Sequence, residues 1–213
     1  LYAKTRISEP YIFLPSCEVS SPYRIRLGMY DYSTWYVKDD WLVEESGLVH
    51  SGVSGLYIDR SRTYAYVSFQ ELGVVGKFLL HTAGGEWYLE RVWQYGVING
   101  GTIVTPTGIC VDETNGFVYV VSTGSPFSIL VLDAATGALL WTWDSFHTYG
   151  TRTFENFDQN VEVAIDSLGD IYVVAHQRFV RKFKGFYDPL THETLVITSP
   201  DAVKLWSYQF GPS

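Results

Sequence analysis

At 213 residues the chain is long enough to bury a sizeable core, as one β-domain or as two small ones. It is 46% hydrophobic and 18% charged, which excludes disorder, and its formal net charge of -8 argues against a nucleic-acid footprint. No apolar run approaches the about 20 residues of a membrane span.

Two cysteines, Cys17 and Cys110, do not make a disulfide framework, and one bridge between them stays open. The chain begins at Leu1 without a basic or apolar leader, as expected of a processed product or a fragment. Sixteen Tyr and seven Trp against a single Met point to a protein that works outside the cell, at the surface or beyond it.

In chain order, short β-prone runs recur between Gly, Pro, Asp and Ser, while helical periodicity is nearly absent. Ile12-Phe13-Leu14, Ala65-Tyr66-Val67, Val118-Tyr119-Val120 and Ile171-Tyr172-Val173 start at positions 12, 65, 118 and 171, a constant step of 53. The first repeat is the least regular: Tyr11 to Leu14, Tyr23 to Leu27 and Trp35 to Val43, with any innermost strand confined to residues 2–7. The second runs Gly55 to Asp59, Tyr64 to Ser68, Val75 to Leu80 and Trp87 to Trp93. The third runs Gly108 to Asp112, Phe117 to Ser122, Ser128 to Leu132 and Ala138 to Trp143. The fourth runs Val161 to Asp166, Asp170 to Ala175, Phe179 to Phe183 and, after a long insertion, Val203 to Tyr208. The middle strands are apolar on both faces, which suits sheets covered on each side. Asp59, Asp112 and Asp166 end the inner strands, where a carboxylate can accept N–H bonds of the turn, and Gly116 and Gly169 supply positive φ.

Each repeat therefore reads as a four-stranded antiparallel meander of propeller-blade size. The expected architecture is an all-β, single-domain β-propeller over 1–213, with blades near 1–47, 48–98, 99–150 and 151–213; the alternative is four blades of a larger ring. Leu132-Asp133-Ala134-Ala135-Thr136-Gly137-Ala138-Leu139-Leu140-Trp141 resembles the tryptophan-docking repeat of PQQ-type propellers, and Gly108 to Val121 resembles NHL and YVTN-type blades. That resemblance implies Asp, Thr and Gly building a hairpin turn and a Trp packing against the next blade. It implies a fold and no activity: the quinone-binding residues of the larger enzymes have no counterpart here, and no cofactor is expected.

Cys17, Gln70, Thr123 and His176 close the second strands, again 53 apart, and form the ligand-face candidates. Glu155, Asp158 and Glu162, in the loop before the fourth repeat, are weak candidates for a Ca²⁺ site without EF-hand spacing. Tyr30, Tyr32, Trp35, Tyr36 and Trp41 crowd the outer part of the first repeat and suit an interface. Arg178, Arg181, Lys182 and Lys184 read as a solvated strand. There is no nucleophile elbow, Walker loop or HExxH. The expected function is a non-catalytic propeller that binds protein or assembles with copies of itself in a filament, tube or surface layer. The alternative is a lyase- or hydrolase-like enzyme, or a ligand-binding propeller, working at the His176 face.

Overall fold

The computed structural model describes residues 6–8, 11–18, 24–31, 37–44, 53–70, 72–83, 86–96, 101, 103–124, 127–148, 154–156, 160–175, 179–183 and 202–209. All described regular elements are strands, and the chain divides into two compact units, Leu1–Pro106 and Thr107–Ser213.

The first unit holds two antiparallel meanders. One is β1 (Arg6–Ser8), β2 (Tyr11–Glu18), β3 (Arg24–Asp31) and β4 (Val37–Glu44); the other is β5 (Val53–Ile58), β6 (Tyr64–Phe69), β7 (Val74–Ala83) and β8 (Glu86–Gly96). The first meander is more complete than its sequence pattern promises: Arg6–Ser8 pairs with Tyr11–Phe13 as an innermost strand. The two join through a parallel bridge, Leu42 opposite Tyr88, in the order β1-β2-β3-β4-β8-β7-β6-β5. Val53, Leu56, Ile58, Ala65, Val67, Phe69, Val74, Phe78 and Leu89 form one buried cluster. β6 is buried on both faces from Ala65 to Phe69, Ser68 included, as a mostly apolar middle strand requires.

The second unit contains β9 (Pro106–Asp112, starting at the last residue of the first unit), β10 (Phe117–Ser122), β11 (Ser128–Asp133) and β12 (Leu139–Trp143), in one four-stranded sheet. Its second sheet contains β13 (Ser145–Thr148), β14 (Phe154–Asn156), β15 (Asn160–Ile165), β16 (Ile171–Ala175), β17 (Phe179–Phe183) and β18 (Ala202–Gln209), in the order β14-β13-β18-β17-β16-β15. The segment expected to be a loop before the fourth repeat thus carries two strands. β13 adds in parallel to the outer edge of β18, so backbone groups that would face water gain partners.

All four meanders share an irregularity that no residue pattern announced. Tyr30, Phe78, Leu132 and Phe183 pair with Ile12, Ala65, Val118 and Ile171, the first residues of the repeated triplets. Beside each of them the outer strand carries one extra residue: Lys38, Val92, Leu140 and Leu205. A bulge of this kind bends its strand and increases its twist, at the same register in every repeat. Val92 and Leu140 are exposed there.

The turns follow expectation. Asp59 Oδ1 accepts the Thr63 and Tyr64 N–H groups, each at 2.8 Å. Asp112 Oδ1 accepts those of Thr114 and Asn115 at 3.0 and 3.1 Å, and Asp166 Oδ1 those of Leu168 and Asp170 at 2.9 and 3.0 Å. Gly116 and Gly169 hold φ of 74° and 83°; the second repeat strains Arg62 into the same region at 58°. In the 132–141 motif, Asp133 Oδ1 accepts the Ala135 and Thr136 N–H groups, and Gly137 has φ 74°. Trp141 lies edge-on to Phe117 of its own meander, ring centroids 5.6 Å apart.

Tyr66 and Tyr119 are buried, Tyr119 completely, whereas Tyr172 is half-buried because its hydroxyl reaches Asp166 at 3.1 Å. Tyr119→Ala is expected to cost about 3–5 kcal/mol in denaturant melts, as for other buried aromatics, and a loss below about 1 kcal/mol would contradict a fully packed β10. Gly108 is a second sensitive point: a Cβ there would meet Glu162 Cα at 2.7 Å and Val163 N at 2.8 Å. Gly108→Ala should cost about 1–3 kcal/mol by overpacking, since backbone atoms cannot rotate aside; an unchanged urea midpoint would refute that close approach.

Candidate functional site

A four-stranded meander has two ends. The first and third turns share one end, where the Ala134 N–H donates to Gly116 O at 2.8 Å. The turn between second and third strands lies at the other, and the sequence-predicted polar residues fall there. Gln70 is exposed directly after β6, its carbonyl accepting the Gly73 N–H at 3.3 Å. Thr123 follows β10 and is half-buried. Cys17 lies near the end of β2, opposite Ile25, with its backbone alone described. His176 lies outside the described residues. Gln70 and Thr123 thus directly follow their strands, whereas Cys17 is still paired within β2.

Glu162 is half-buried in β15, and its Oε1 accepts its neighbour Val163's N–H at 3.3 Å. Glu155 lies in β14, while Asp158 is outside the described residues. Among the described residues, no three His, Cys, Asp or Glu side chains gather as a metal site. Of the interface candidates, Tyr30 lies in β3 and Trp41 in β4, and Tyr32, Trp35 and Tyr36 are outside the described residues. Cys110 is a buried cysteine of β9.

Among the described residues, a charged cluster lies on a strand whose sequence suggests solvent exposure. Lys182, in β17, places Nζ 2.8 Å from Asp170 Oδ2 and 3.3 Å from Asp166 Oδ2. The same ammonium stands 5.1 Å from the centre of the Tyr172 ring. Arg181 is buried, its guanidinium 5.3 Å and 5.5 Å from the rings of Phe146 and Phe179. The solvated strand expected around Arg181 and Lys182 is therefore corrected: Arg181 is buried and Lys182 half-buried, because alternate positions of β17 face packed aromatics on one side and the carboxylates of the inner turn on the other.

Lys77 holds the corresponding register position in β7, between Tyr66 and Trp93 on the flanking strands. Its Nζ lies 4.1 Å from the Tyr64 ring centre and 5.4 Å from that of Tyr66, and the residue is 9% exposed. Both lysines thus bury their stems beneath aromatic rings and send the ammonium toward the inner turn. His81 and Glu90, on β7 and β8, form a more exposed pair at 3.3 Å.

The electrostatics fix these charges rather than poise them for proton transfer. Burial raises the Asp166 carboxyl, but N–H bonds from Asp170 and Leu168 and side-chain bonds from Lys182 and Tyr172 outweigh it and leave it below the usual Asp range. Hydrogen bonds to Asp170, then to Tyr172, hold the Lys182 ammonium above the usual lysine range against a smaller opposing effect of burial. Burial, with the neighbouring Asp112 and Cys110, pushes the Tyr119 hydroxyl far above its ordinary value. Shifts in these directions favour the charged forms of Asp166 and Lys182, which hold one another in place.

No protein-family model matches the chain, and no curated protein matches it. Solved structures do. A protein from Desulfotomaculum acetoxidans DSM 771, described as functionally unknown, aligns with TM-score 0.61 and 12% identity over 98% of this chain and 56% of that one. The WD40 β-propeller domain of Doa1 aligns with TM-score 0.55 and 10% identity over 97% and 52%. The β-propeller domain of Cps50 (Swd1) from Myceliophteria thermophila aligns with TM-score 0.53 and 11% identity over 82% and 51%. The fold is a β-propeller. This chain spans about half the length of the propellers it matches, and at these identities the likeness is one of fold alone.

The charge cluster gives the propeller a defined pH response. Lys182 has a raised value in the folded state, so its stabilisation is present below the unfolded lysine value of about 10.4 and is lost as pH rises through the folded value. Asp166 is depressed, so its contribution is present above about 3.9 and is lost as pH falls through the folded value. Lys182→Met is expected to flatten the alkaline fall in melting temperature. An alkaline limb identical to that of the unmodified protein would refute the lysine's role.

Proposed function

We propose that this propeller is a protein-interaction subunit that self-associates, with blades of the PQQ, NHL or YVTN type and a place of work outside the cell. The observation that carries the reading is the chemistry of the outer strands. Val92 on β8, Leu139 and Leu140 on β12 and Tyr208 on β18 are exposed at 47%, 37%, 36% and 65%, although the core has abundant apolar surface of its own. Large apolar side chains held outward on rigid strands favour association with another protein surface. The fixed charges of the Lys182 cluster serve the meander that carries them. The composition supports an extracellular setting through its wealth of Tyr and Trp beside one Met.

The test is the native mass and shape of the protein, by light scattering together with negative-stain imaging over a range of concentrations. Polymers or large closed assemblies are the expected result. A compact particle at the chain mass of 24.1 kDa at every concentration would overturn self-association.

A further inference from the structure

One row of side chains crosses the third and the fourth meander at the same register, and the two rows are covered to different depths. In the third, Val121 pairs with Ile129 and Ile129 with Trp143, and these three are 0%, 0% and 4% exposed. In the fourth, Val174 pairs with Val180 and Val180 with Tyr208; both valines are half-buried and Tyr208 is 65% exposed. The opposite face of the fourth meander is closed, with Ile171, Val173 and Phe183 fully buried. Its open face therefore leaves in water an apolar row that the third meander removes from it.

The third meander shows what such a row meets. Gly55 stands opposite Ser68 in the second meander, and the step of 53 gives Gly108 the same place at the head of the third meander's row. There β15 approaches until a Cβ on Gly108 would meet Glu162 Cα at 2.7 Å, and β15 also lies against β10. The cover is thus the inner strand of another meander of the same repeat. In the fourth meander Glu162 takes the glycine's place, opposite Val174. A covering sheet cannot come as close at that inner strand and must rest on the outer half, at Val180 and Tyr208. Charge does not select the occupant, because the Lys182 ammonium on this face is held by Asp166 and Asp170. A second copy of this chain carries meanders of the required kind. The propellers aligned with this chain are about twice its length, which two copies supply.

We propose that Val174, Val180 and Tyr208 form a docking face for a sheet of a second copy of this chain. The inference rests on the reading as a self-associating subunit and names the surface that carries the association. The second copy's sheet stacks face to face on the fourth meander, covers the Tyr208 ring as that of Trp143 is covered, and removes water from the two valines.

The test follows the mass of the full chain by sedimentation and light scattering through a dilution series. Tyr208→Lys places a charge on the face, Tyr208→Ala only removes the ring, and Leu140→Lys changes an exposed apolar residue of another sheet for comparison. Tyr208→Lys is expected to raise the midpoint concentration of association at least about tenfold, and Tyr208→Ala to shift it in the same direction. Leu140→Lys should leave it within about twofold of the unmodified protein. Because Tyr208 is exposed in the single chain, melting temperatures of the dilute Tyr208 variants should stay near that of the unmodified protein. Undiminished association of both folded Tyr208 variants would overturn the docking face and leave self-association standing. So would a loss in Leu140→Lys as large as that in Tyr208→Lys. A monomer at every concentration of the unmodified chain would overturn both readings.

Discussion

A strand buried on both faces is the constraint on which the rest of this structure depends. β6 and β10 have almost every side chain covered, and Ile171 and Val173 of β16 are fully buried. No single open sheet can cover both faces of its own middle strand, so each meander must be packed by something further. Gly108 against Glu162 and Val163 shows how close that approach becomes within the second unit: β9 and β15 meet without room for a methyl group. The turns answer the same demand. With the strands committed to packing, the chain must reverse in few residues, and the carboxylates of Asp59, Asp112, Asp133 and Asp166 satisfy the turn N–H groups that no strand can reach.

Much of this was legible in the sequence, because burial of a middle strand leaves a local signature. An aliphatic-aromatic-aliphatic triplet at positions 12, 65, 118 and 171 is what a doubly covered strand looks like when the repeat is constant. The Asp-to-Gly turns were legible for a similar reason: positive φ and side-chain acceptance of N–H groups restrict residue choice strongly. The outer-strand bulges were not legible. Their extra residues are Lys38, Val92, Leu140 and Leu205, which share no chemistry, since a bulge at this position constrains the backbone register and leaves the side chain open. β13 was hidden too, because pairing to β18 depends on a strand more than fifty residues away.

The polar cluster escaped for a different reason. A lysine inside a short strand reads as a solvent-facing residue, and that inference fails when the neighbouring strands place large rings over its stem. Tyr66 and Trp93 flank Lys77 across the sheet, as Tyr172 and Trp206 flank Lys182 in the backbone register. The cue, visible afterward, is that a Tyr, a Lys and a Trp stand one per strand at one register. Of the four ligand-face candidates, Gln70 and Thr123 directly follow β6 and β10, and Cys17 lies within β2. Position in a repeat is a property of the chain, however, whereas convergence on a ligand is a property of side chains from separate repeats, on which periodicity is silent.

The lysines also show that the second and fourth meanders are variants of one solution. In both, the third strand offers a cation at the same register and its ammonium reaches the inner turn. The second meander receives it with the Tyr64 and Tyr66 rings, and the fourth with Asp166, Asp170 and the Tyr172 ring. The third meander has Val131 at that register, between Tyr119 and Trp141, and no charge has to be accommodated. There the tyrosine is free to bury completely, and its hydroxyl is pushed far from ionisation by the burial. The fourth meander, with a charge to hold, keeps Tyr172 half-exposed and uses its hydroxyl as a donor to Asp166. Tyr66 stays buried opposite Lys77, so a cross-strand lysine does not by itself expose the tyrosine; in the fourth meander it is the hydroxyl's bond to Asp166 that accompanies the half-exposed ring. A repeat can thus hold a charge at this register with its tyrosine buried or half-exposed while an Asp carboxylate closes the inner turn in both cases.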